Sequence, residues 1–593
     1  MAGLDVTTIA PGDRPAPTRV REWATSLGAH WAFVAVMAAF IASTFIVPTM
    51  APVAISDDWV YIRSSEILLR EGRFEILAVA SSNLLFQVGW GTLFALVFGP
   101  ALGVYRLSVV VLWFLSAFAI YGLLLQLTRS RTRSALGAAI YVFNPLGYSL
   151  AFTFMTDAPF VALLTIAVWA YARGLGRDRE HLGWVFAGSL ASACAVLIRQ
   201  PGVFIPAGAL LAVLIDGRAQ LTSRGVRLVI AIAGAPFVTF VAFSLWLRLV
   251  HGEPAVMQLM QRQLVEGGPG AIGLQGLRLY TIELAYIGLF ALPLAVGALV
   301  GFSTLARRMN APAWAGFAAW QSLVLVSVAF YRGMGGRMPF APHFVSSYGI
   351  GPNDLIAARP ELLGYGVRDV LTVLCVAAAV AAGFLVIAAL VRWHDYDPGD
   401  RRAIILVLSQ VLVMFGGALV VSSHFRNWSY EGVASPTLDR YFLPLVPVLI
   451  AALLWALREV PFSMSLGWWV ATFLAMFAVA GTRDNLEFHR QNWELAREAN
   501  ALGISNRILD AGASWDGYHL GEESLAEVGY RPKPGLLWWF SIYTPIIDPQ
   551  YSIATKPVPR YTDVVLEKRY DLWLDTRPAR LLLLRRDDVP GPP

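Results

Sequence analysis

Apolar residues run along the chain in long, nearly unbroken blocks instead of alternating with polar ones. A hydrocarbon core of about 30 Å needs about 20 apolar residues per helix, and fewer where neighbouring helices shield the ends. Blocks of that kind lie at about 29–49, 103–127, 134–152, 158–173, 182–198, 201–215, 226–250, 277–304, 312–330, 367–391, 402–422, 440–457 and 463–481. The pattern predicts a mainly α, polytopic membrane helix bundle of about 13 spans. One further apolar stretch, Leu84 to Pro100, is short and interrupted by Gln87, Gly89, Gly91 and Gly99. If it spanned, the run Arg129, Arg131, Arg133 would fall outside and the alternation of basic loops would break. Laid in the interface, it leaves arginine in every short loop on one side: Arg129/Arg131/Arg133, Arg173/Arg177/Arg179, Arg218/Arg224/Arg227, Arg307/Arg308, Arg392/Arg401/Arg402 and Arg458. That side is the cytoplasm. The tail 1–28, with Arg14, Arg19 and Arg21, joins it, and an odd number of spans puts the C-terminus outside.

The membrane domain is therefore expected over 29–481, with interfacial helices in a first outer loop, 50–102, and further outer loops at 251–276, 331–366 and 423–439. From Arg483 the sequence turns charged, with a helical stretch near Asn492 to Ala501 and then Gly- and Pro-punctuated apolar segments such as Leu536 to Tyr543. A small extracytoplasmic C-terminal α/β domain is predicted over 482–593, near the common domain size.

Composition sharpens the class. Of 593 residues, 57% are hydrophobic and 15% charged, with mean hydropathy +0.58, whereas soluble domains are about 25% charged. Lysine occurs only at Lys533, Lys556 and Lys568, so the net charge of +6 is almost all arginine. Those arginines are spaced singly between apolar blocks, not clustered on one solvated face, which excludes nucleic acid as a partner. Cys194 and Cys375 both lie inside apolar blocks, so neither CxxC chemistry nor a disulfide framework is available. Met1 to Glu22 lacks an apolar core and a cleavage site and is a cytosolic tail, not a signal peptide. No GxxxxGK[ST] occurs, which excludes an ATP-driven pump with its own P-loop. Gly268-Pro269-Gly270-Ala271-Ile272-Gly273 matches GxGxxG formally, but it falls in an expected outer loop with no strand before it. Asn427-Trp428-Ser429 fits a glycosylation tripeptide of the kind that arises by chance.

Polar residues at the outer mouths of the spans carry the candidate chemistry. Ser56-Asp57-Asp58-Trp59-Val60-Tyr61 opens the first outer loop, ahead of Arg63, Glu66 and Arg70 on an amphipathic helix ending at Gly72. Adjacent carboxylates repel, so one is expected to take a raised pKa or to bind a cation. The first outcome suits a general base toward a hydroxyl, the second a divalent cation such as Mg or Mn held by Asp57, Asp58 and Asp157. The bland alternative makes Asp57 a helix cap and leaves Asp58 in water. Asp157, in Phe154-Met155-Thr156-Asp157-Ala158-Pro159, could also merely cap the fourth span. The topology, deduced without these residues, nevertheless brings all three acids to one membrane face. Arg199-Gln200-Pro201 occupies a tight outer turn, where a guanidinium is costly unless paired with Asp157 or with a lipid phosphate. Arg440, in Asp439-Arg440-Tyr441-Phe442-Leu443-Pro444, starts another span, with His424 and Arg426 in the loop before it. Arg106 is expected only to snorkel.

Together these motifs, with Arg199-Gln200-Pro201-Gly202 and Arg440-Tyr441-Phe442-Leu443-Pro444-Leu445-Val446-Pro447, resemble the polytopic C-type (GT-C) glycosyltransferases. They are most similar to the family 39-like group that includes bacterial protein O-mannosyltransferases and lipid A aminoarabinose transferases. The family's His-Pro-Pro motif is missing, and Ser82-Asn83-Leu84-Leu85-Phe86-Gln87 stands near its place. The resemblance implies a plasma-membrane hexosyl- or pentosyltransferase acting at the extracytoplasmic face. It would move a sugar from a polyprenyl-phosphate donor to a protein, lipid or polysaccharide acceptor, with inversion. It implies Asp57 or Asp58 as base, Asp157 orienting the acceptor or helping form a cation site, and Arg199 and Arg440 neutralising the departing phosphate. Arg63 is a further candidate for that phosphate, and Tyr61, Gln200, His424 and Arg426 are further site candidates. In the tail, Asp510 to His519 resembles C-terminal segments of bacterial members; Trp515 and Tyr518 could stack on a sugar, although a turn with a buried aromatic is the simpler expectation. Competing functions are a transporter or flippase for a lipid-linked glycan, which would show repeated halves and midplane acids, and a non-catalytic assembly or sensor protein.

Overall fold

The computed structural model describes residues 28–176, 180–220, 222–266, 268–333, 335–357, 359–422, 429–430, 433–434, 437–530 and 537–590. The helices are α1 (Trp31–Ile46), α2 (Asp58–Glu71), α3 (Leu85–Phe98), α4 (Leu102–Thr128), α5 (Arg131–Val142), α6 (Pro145–Ala151), α7 (Asp157–Leu175), α8 (Leu182–Val196), α9 (Phe204–Ile215) and α10 (Ser223–Trp246). They continue with α11 (Ala255–Glu266), α12 (Gly268–Gly297), α13 (Phe302–Ala306), α14 (Ala311–Gly333), α15 (Tyr365–Leu390), α16 (Pro398–Ser422), α17 (Leu445–Ala456), α18 (Met464–Ala501), α19 (Ala513–Val528) and α20 (Trp538–Ile542). Among the described residues, eight helices are long and apolar enough to cross a membrane, and five shorter apolar helices, α3 among them, accompany them. The chain is a multi-pass membrane protein.

Three departures from the expected spans have local causes. The block 134–152 is not one helix: Asn144 accepts hydrogen bonds from the N–H groups of Leu146 and Gly147 and starts α6 afresh at Pro145. Proline at the first helical position has no amide to leave unpaired. Most of the stretch 251–276 is helical, as α11 from Ala255 to Glu266 and as α12 from Gly268, so the GxGxxG match lies on a helix. The block ending at 481 continues without a break as α18 to Ala501, 38 residues in all. At 1.5 Å per residue that is about 57 Å, far beyond a bilayer core, so the expected boundary at 482 falls inside a helix that carries the C-terminal region on its far half.

That region is a mixed α/β unit. Strands β5 (Leu509–Asp510), β6 (Tyr551–Ala554), β7 (Asp563–Tyr570) and β8 (Ala579–Arg585) form a sheet in the order β5-β6-β8-β7, after the two-residue pairs β1–β2 (Val345–Ser346, Gly349–Ile350) and β3–β4 (Ser429–Tyr430, Val433–Ala434). Only β5 and β6 run parallel. Against the sheet, Trp493, Trp515 and His519 pack as a ring cluster. Trp515 is buried, so it is core and not a sugar platform.

The first loop is folded down onto this unit. Gly72, at φ 67, ends α2 in the left-handed conformation, where glycine pays no Cβ penalty. Gly517 and Gly521 let α19 approach the indole of Trp59, which a Cβ at either position would strike. Arg106 does not snorkel. It is 1% exposed and donates to the carbonyls of Thr49, Ala51 and Val53, supplying donors that a buried irregular backbone otherwise lacks.

Candidate active site

Four segments distant in sequence meet where α2, α7 and α17 begin. Asp157 is the first residue of α7, where the helix dipole favours an anion, and it is 2% exposed. Arg199, in the turn after α8, is paired with Asp157 Oδ1. Arg440, in the short turn before α17, lies 3.9 Å from Asp157 Oδ2 and 3.2 Å from Asp57 Oδ2. Both guanidinium groups lie over the Tyr441 ring, at 5.2 and 5.5 Å. The cap reading of Asp57 fails, because its side chain makes no capping bond. Instead Oδ1 accepts the Tyr543 hydroxyl at 2.7 Å. The preceding Ser56 has φ 54, a conformation that costs a non-glycine residue roughly 1–3 kcal/mol and gathers at functional sites. Tyr61 is buried beside the same group; burial and then Asp57 lift its phenol above the ordinary value, against Arg440.

A cavity opens from this cluster between α7, α9 and α16. Asp157, Arg199 and Arg440 form its polar end, and Phe160, Phe204 and Met414 its apolar walls. A polar end with two guanidinium groups suits an anion, since such forks give charge-assisted hydrogen bonds.

Other predicted residues are placed elsewhere. Asp58 is not in water and not in the cluster: Oδ1 accepts the Ile55 amide at 2.7 Å and Oδ2 the Phe154 amide at 3.3 Å. It ties the first loop to the loop before α7, and burial, opposed by Arg106, pushes it up to about 7. Arg63 faces the C-terminal unit, bonding Glu66 at 2.6 Å and the Tyr518 carbonyl at 2.8 Å and lying 4.1 Å over the Tyr518 ring. Gln200 donates to the Ser81 carbonyl at 3.1 Å and so holds the first loop. His424 and Arg426 lie outside the described residues. The acids do not fit a divalent cation. Asp57 and Asp157 are engaged by guanidinium groups and Asp58 by backbone amides, and among the described residues no three His, Cys, Asp or Glu side chains are arranged to hold an ion.

Three residues that the sequence reading passed over belong to the surroundings. Asp439, fully buried, accepts the amides of Phe344 at 3.2 Å and Val345 at 2.6 Å, fixing the turn that carries Arg440. Burial pushes it up to about 7 despite those donors. Asp354 is likewise pushed up to about 7, first by burial and then by Asp57. Tyr543 comes from the far end of the chain, and no local pattern marks it.

The site lies at the mouth of the helix bundle, its acid and guanidinium groups at one end of an apolar-walled cavity. Residues 90–246, from α3 to α10, match the family model described as dolichyl-phosphate-mannose-protein mannosyltransferase. The resemblance to C-type glycosyltransferases is thereby borne out. No curated protein matches the chain. Similar solved structures include ArnT from Cupriavidus metallidurans bound to undecaprenyl phosphate, at 15% identity and TM-score 0.33 over 96% of this chain and 100% of that one. Arabinosyltransferase EmbB from Mycobacterium smegmatis is similar at 15% and 0.31 over 81% and 43%. The archaeal oligosaccharyltransferase AglB from Archaeoglobus fulgidus, in complex with an inhibitory peptide and a dolichol-phosphate, is similar at 10% and 0.41 over 89% and 70%.

Proposed function

We propose that the protein is a membrane glycosyltransferase that moves a sugar from a polyprenyl-phosphate donor to a hydroxyl of a protein, lipid or polysaccharide acceptor at the extracytoplasmic face of the plasma membrane. The observation that carries this is the cavity whose polar end joins Asp157, Arg199 and Arg440 and whose walls are apolar span residues. The matched family model, named for a prenyl-phosphate sugar donor, agrees with it. The side is supported by charge: Arg129, Arg392 and Arg458, with Asp400 and Glu459, make an ion network at the opposite end of the bundle, where positive loops belong in the cytoplasm.

The donor phosphate sits between Arg199 and Arg440 with its chain along Phe160 and Phe204. The acceptor hydroxyl attacks the anomeric carbon from the side opposite the phosphate oxygen. As the new C–O bond forms, the bond to phosphate breaks, its electron pair leaves on the polyprenyl phosphate, and the configuration inverts. Asp57 takes the hydroxyl proton, and the two arginines stabilise the charge that grows on phosphate. Asp57 is preferred to Asp58 as base because both Asp58 oxygens are held by backbone amides, whereas Asp57 is 18% exposed at the mouth. Asp157 keeps the arginines in place.

Reconstitution in liposomes with a short-chain polyprenyl-phosphate sugar tests this. Release of polyprenyl phosphate with transfer to an added hydroxyl acceptor is expected, lost in Asp57→Asn while donor binding persists. Movement of intact labelled donor across the bilayer without release would identify a flippase instead.

A further inference from the structure

Two adjacent cavities, one above the other, form a second, two-storey site on the far side of the Asp439 turn. Its lower part is an apolar chamber of about 190 Å³ between α15 and α18, floored by Tyr286 and Phe290 of α12 and by Pro145. It is bordered by Val367 of α15 and Phe473 of α18, which are 54% and 70% exposed, so the chamber opens sideways toward lipid. Its upper part is a cleft of about 550 Å³ between α18, the segments 348–350 and 359–362, and the sheet, within the size range of small-molecule sites. The two are stacked. Phe477 lines the chamber and Gly481, one turn further along α18, lines the cleft; Leu363 lines the chamber and Leu362 the cleft.

The join marks the membrane surface. The apolar stretch of α18 ends near Gly481, and exposed aromatics, Tyr365 at 64% and Trp573 at 56%, stand at the same level, as in the belts at bilayer interfaces. The Trp573 turn is pinned there: Asp484 accepts the amides of Trp573 and Leu574, and Arg483 lies 5.2 Å over the indole.

The charges in the cleft do not cancel. Asp484 is consumed by that turn, and Asp575 is tied to Arg577 at 2.7 Å, leaving Glu361 as the remaining acid. Lys556 and Arg580 line the same cleft, both exposed and in no ion pair among the described residues, although Arg580 is close enough to Glu567 to help lower its carboxyl. Lys556 is moreover one of three lysines in the whole chain. An apolar chamber under a cationic cleft, joined at the interface, has the form of a single amphiphile.

We propose that this two-storey cavity binds one amphiphile with an anionic headgroup, its chain in the chamber between α15 and α18 and its headgroup against Lys556 and Arg580. The site is separate from the arginine pair of the active site and does not rest on the transferase reading. Two sources share the required chemistry: an anionic bilayer phospholipid and a glycolipid with a phosphorylated sugar.

Native mass spectrometry of the full chain in detergent decides it, with phosphatidylglycerol, phosphatidylcholine and a diacyl glycolipid bearing a phosphorylated sugar as probes. At least tenfold preferential retention of one anionic probe over phosphatidylcholine is expected, and the probe retained names the source. The pair Lys556→Glu and Arg580→Glu should abolish the preference, and both positions are exposed, so the fold is spared. Leu371→Trp, which fills the chamber and leaves the cleft charges alone, should lower retention of all chain-bearing probes at this site. Equal retention of neutral and anionic lipids, or an anionic preference that survives both kinds of variant, overturns the proposal.

Discussion

Tyr543 donates its hydroxyl to Asp57 Oδ1 at 2.7 Å, a contact between residues 486 positions apart. The Trp59 indole meets the Tyr543 ring edge-on at 5.3 Å between centroids, so the phenol is held from the side as well as at its tip. The C-terminal unit thus reaches the carboxylate that we assign as base. Tyr543→Phe keeps the ring contact and removes only the hydroxyl. A hydrogen bond to a charged group contributes about 1.5–3 kcal/mol, and about 1.4 kcal/mol is tenfold in rate. Turnover is therefore expected to fall tenfold or more with little change in donor KM, because Arg199 and Arg440 are untouched. An unchanged turnover number in liposomes would mean that the contact is structural only.

Asp157 stands between two guanidinium groups and is 2% exposed. Removing one partner from a buried charged group costs about 3–5 kcal/mol, because the remaining charge is stranded. Asp157→Asn should therefore lower the thermal midpoint in detergent as well as donor affinity. Adding a polyprenyl phosphate should recover part of the lost midpoint, since its phosphate supplies the missing anion. Absence of that recovery would separate the arginines from phosphate binding.

Much of the bundle was legible because the bilayer imposes one rule on every span, and topology alone brought the acids to one membrane face, while the partner of Arg199 stayed open between Asp157 and a lipid phosphate. Asp57, Asp157, Arg199 and Arg440 do converge. What misled is instructive. Asp57 and Asp58 are neighbours in sequence, but a helix start turns consecutive side chains by about 100°, so one faces the mouth and the other the backbone of the loop before α7. Arg106 looked like a surface anchor because sequence does not show that an irregular loop needs its donors. Arg63 looked like a phosphate ligand because nothing local foretells that α19 packs on its helix. Tyr543, Asp354 and Asp439 act through contacts made only by tertiary folding, and single acids or phenols in loops carry no periodic signal.

Arg63 supplies the contrast case. It bonds Glu66 and the Tyr518 carbonyl and stacks on the Tyr518 ring. Arg63→Ala should loosen α19 from α2 and speed limited proteolysis within 502–593, while donor KM stays within about twofold. A selective rise in donor KM, with proteolysis unchanged, would return Arg63 to the phosphate site.

Asp354 gives a pH dependence with a defined sign. It is fully buried, and among the described residues neither carboxylate oxygen receives a hydrogen bond. Burial, and after it the charge of Asp57, pushes it up to about 7 from an ordinary value of 3.8. In that interval the folded protein holds a proton that the unfolded chain releases, so this group favours folding fully below about 3.8 and loses the contribution as pH rises to about 7. Asp354→Asn mimics the protonated form at every pH. Its thermal midpoint relative to the native protein should therefore climb between pH 4 and pH 7 and level off above, the whole change amounting to about 4 kcal/mol at most. Taking the difference between the two proteins cancels the other titrating groups, whose ion pairs weaken in acid. Tryptophan fluorescence of the detergent-solubilised proteins from pH 5 to pH 8 measures it; a difference that stays flat would show that Asp354 meets water or a cation in the folded state.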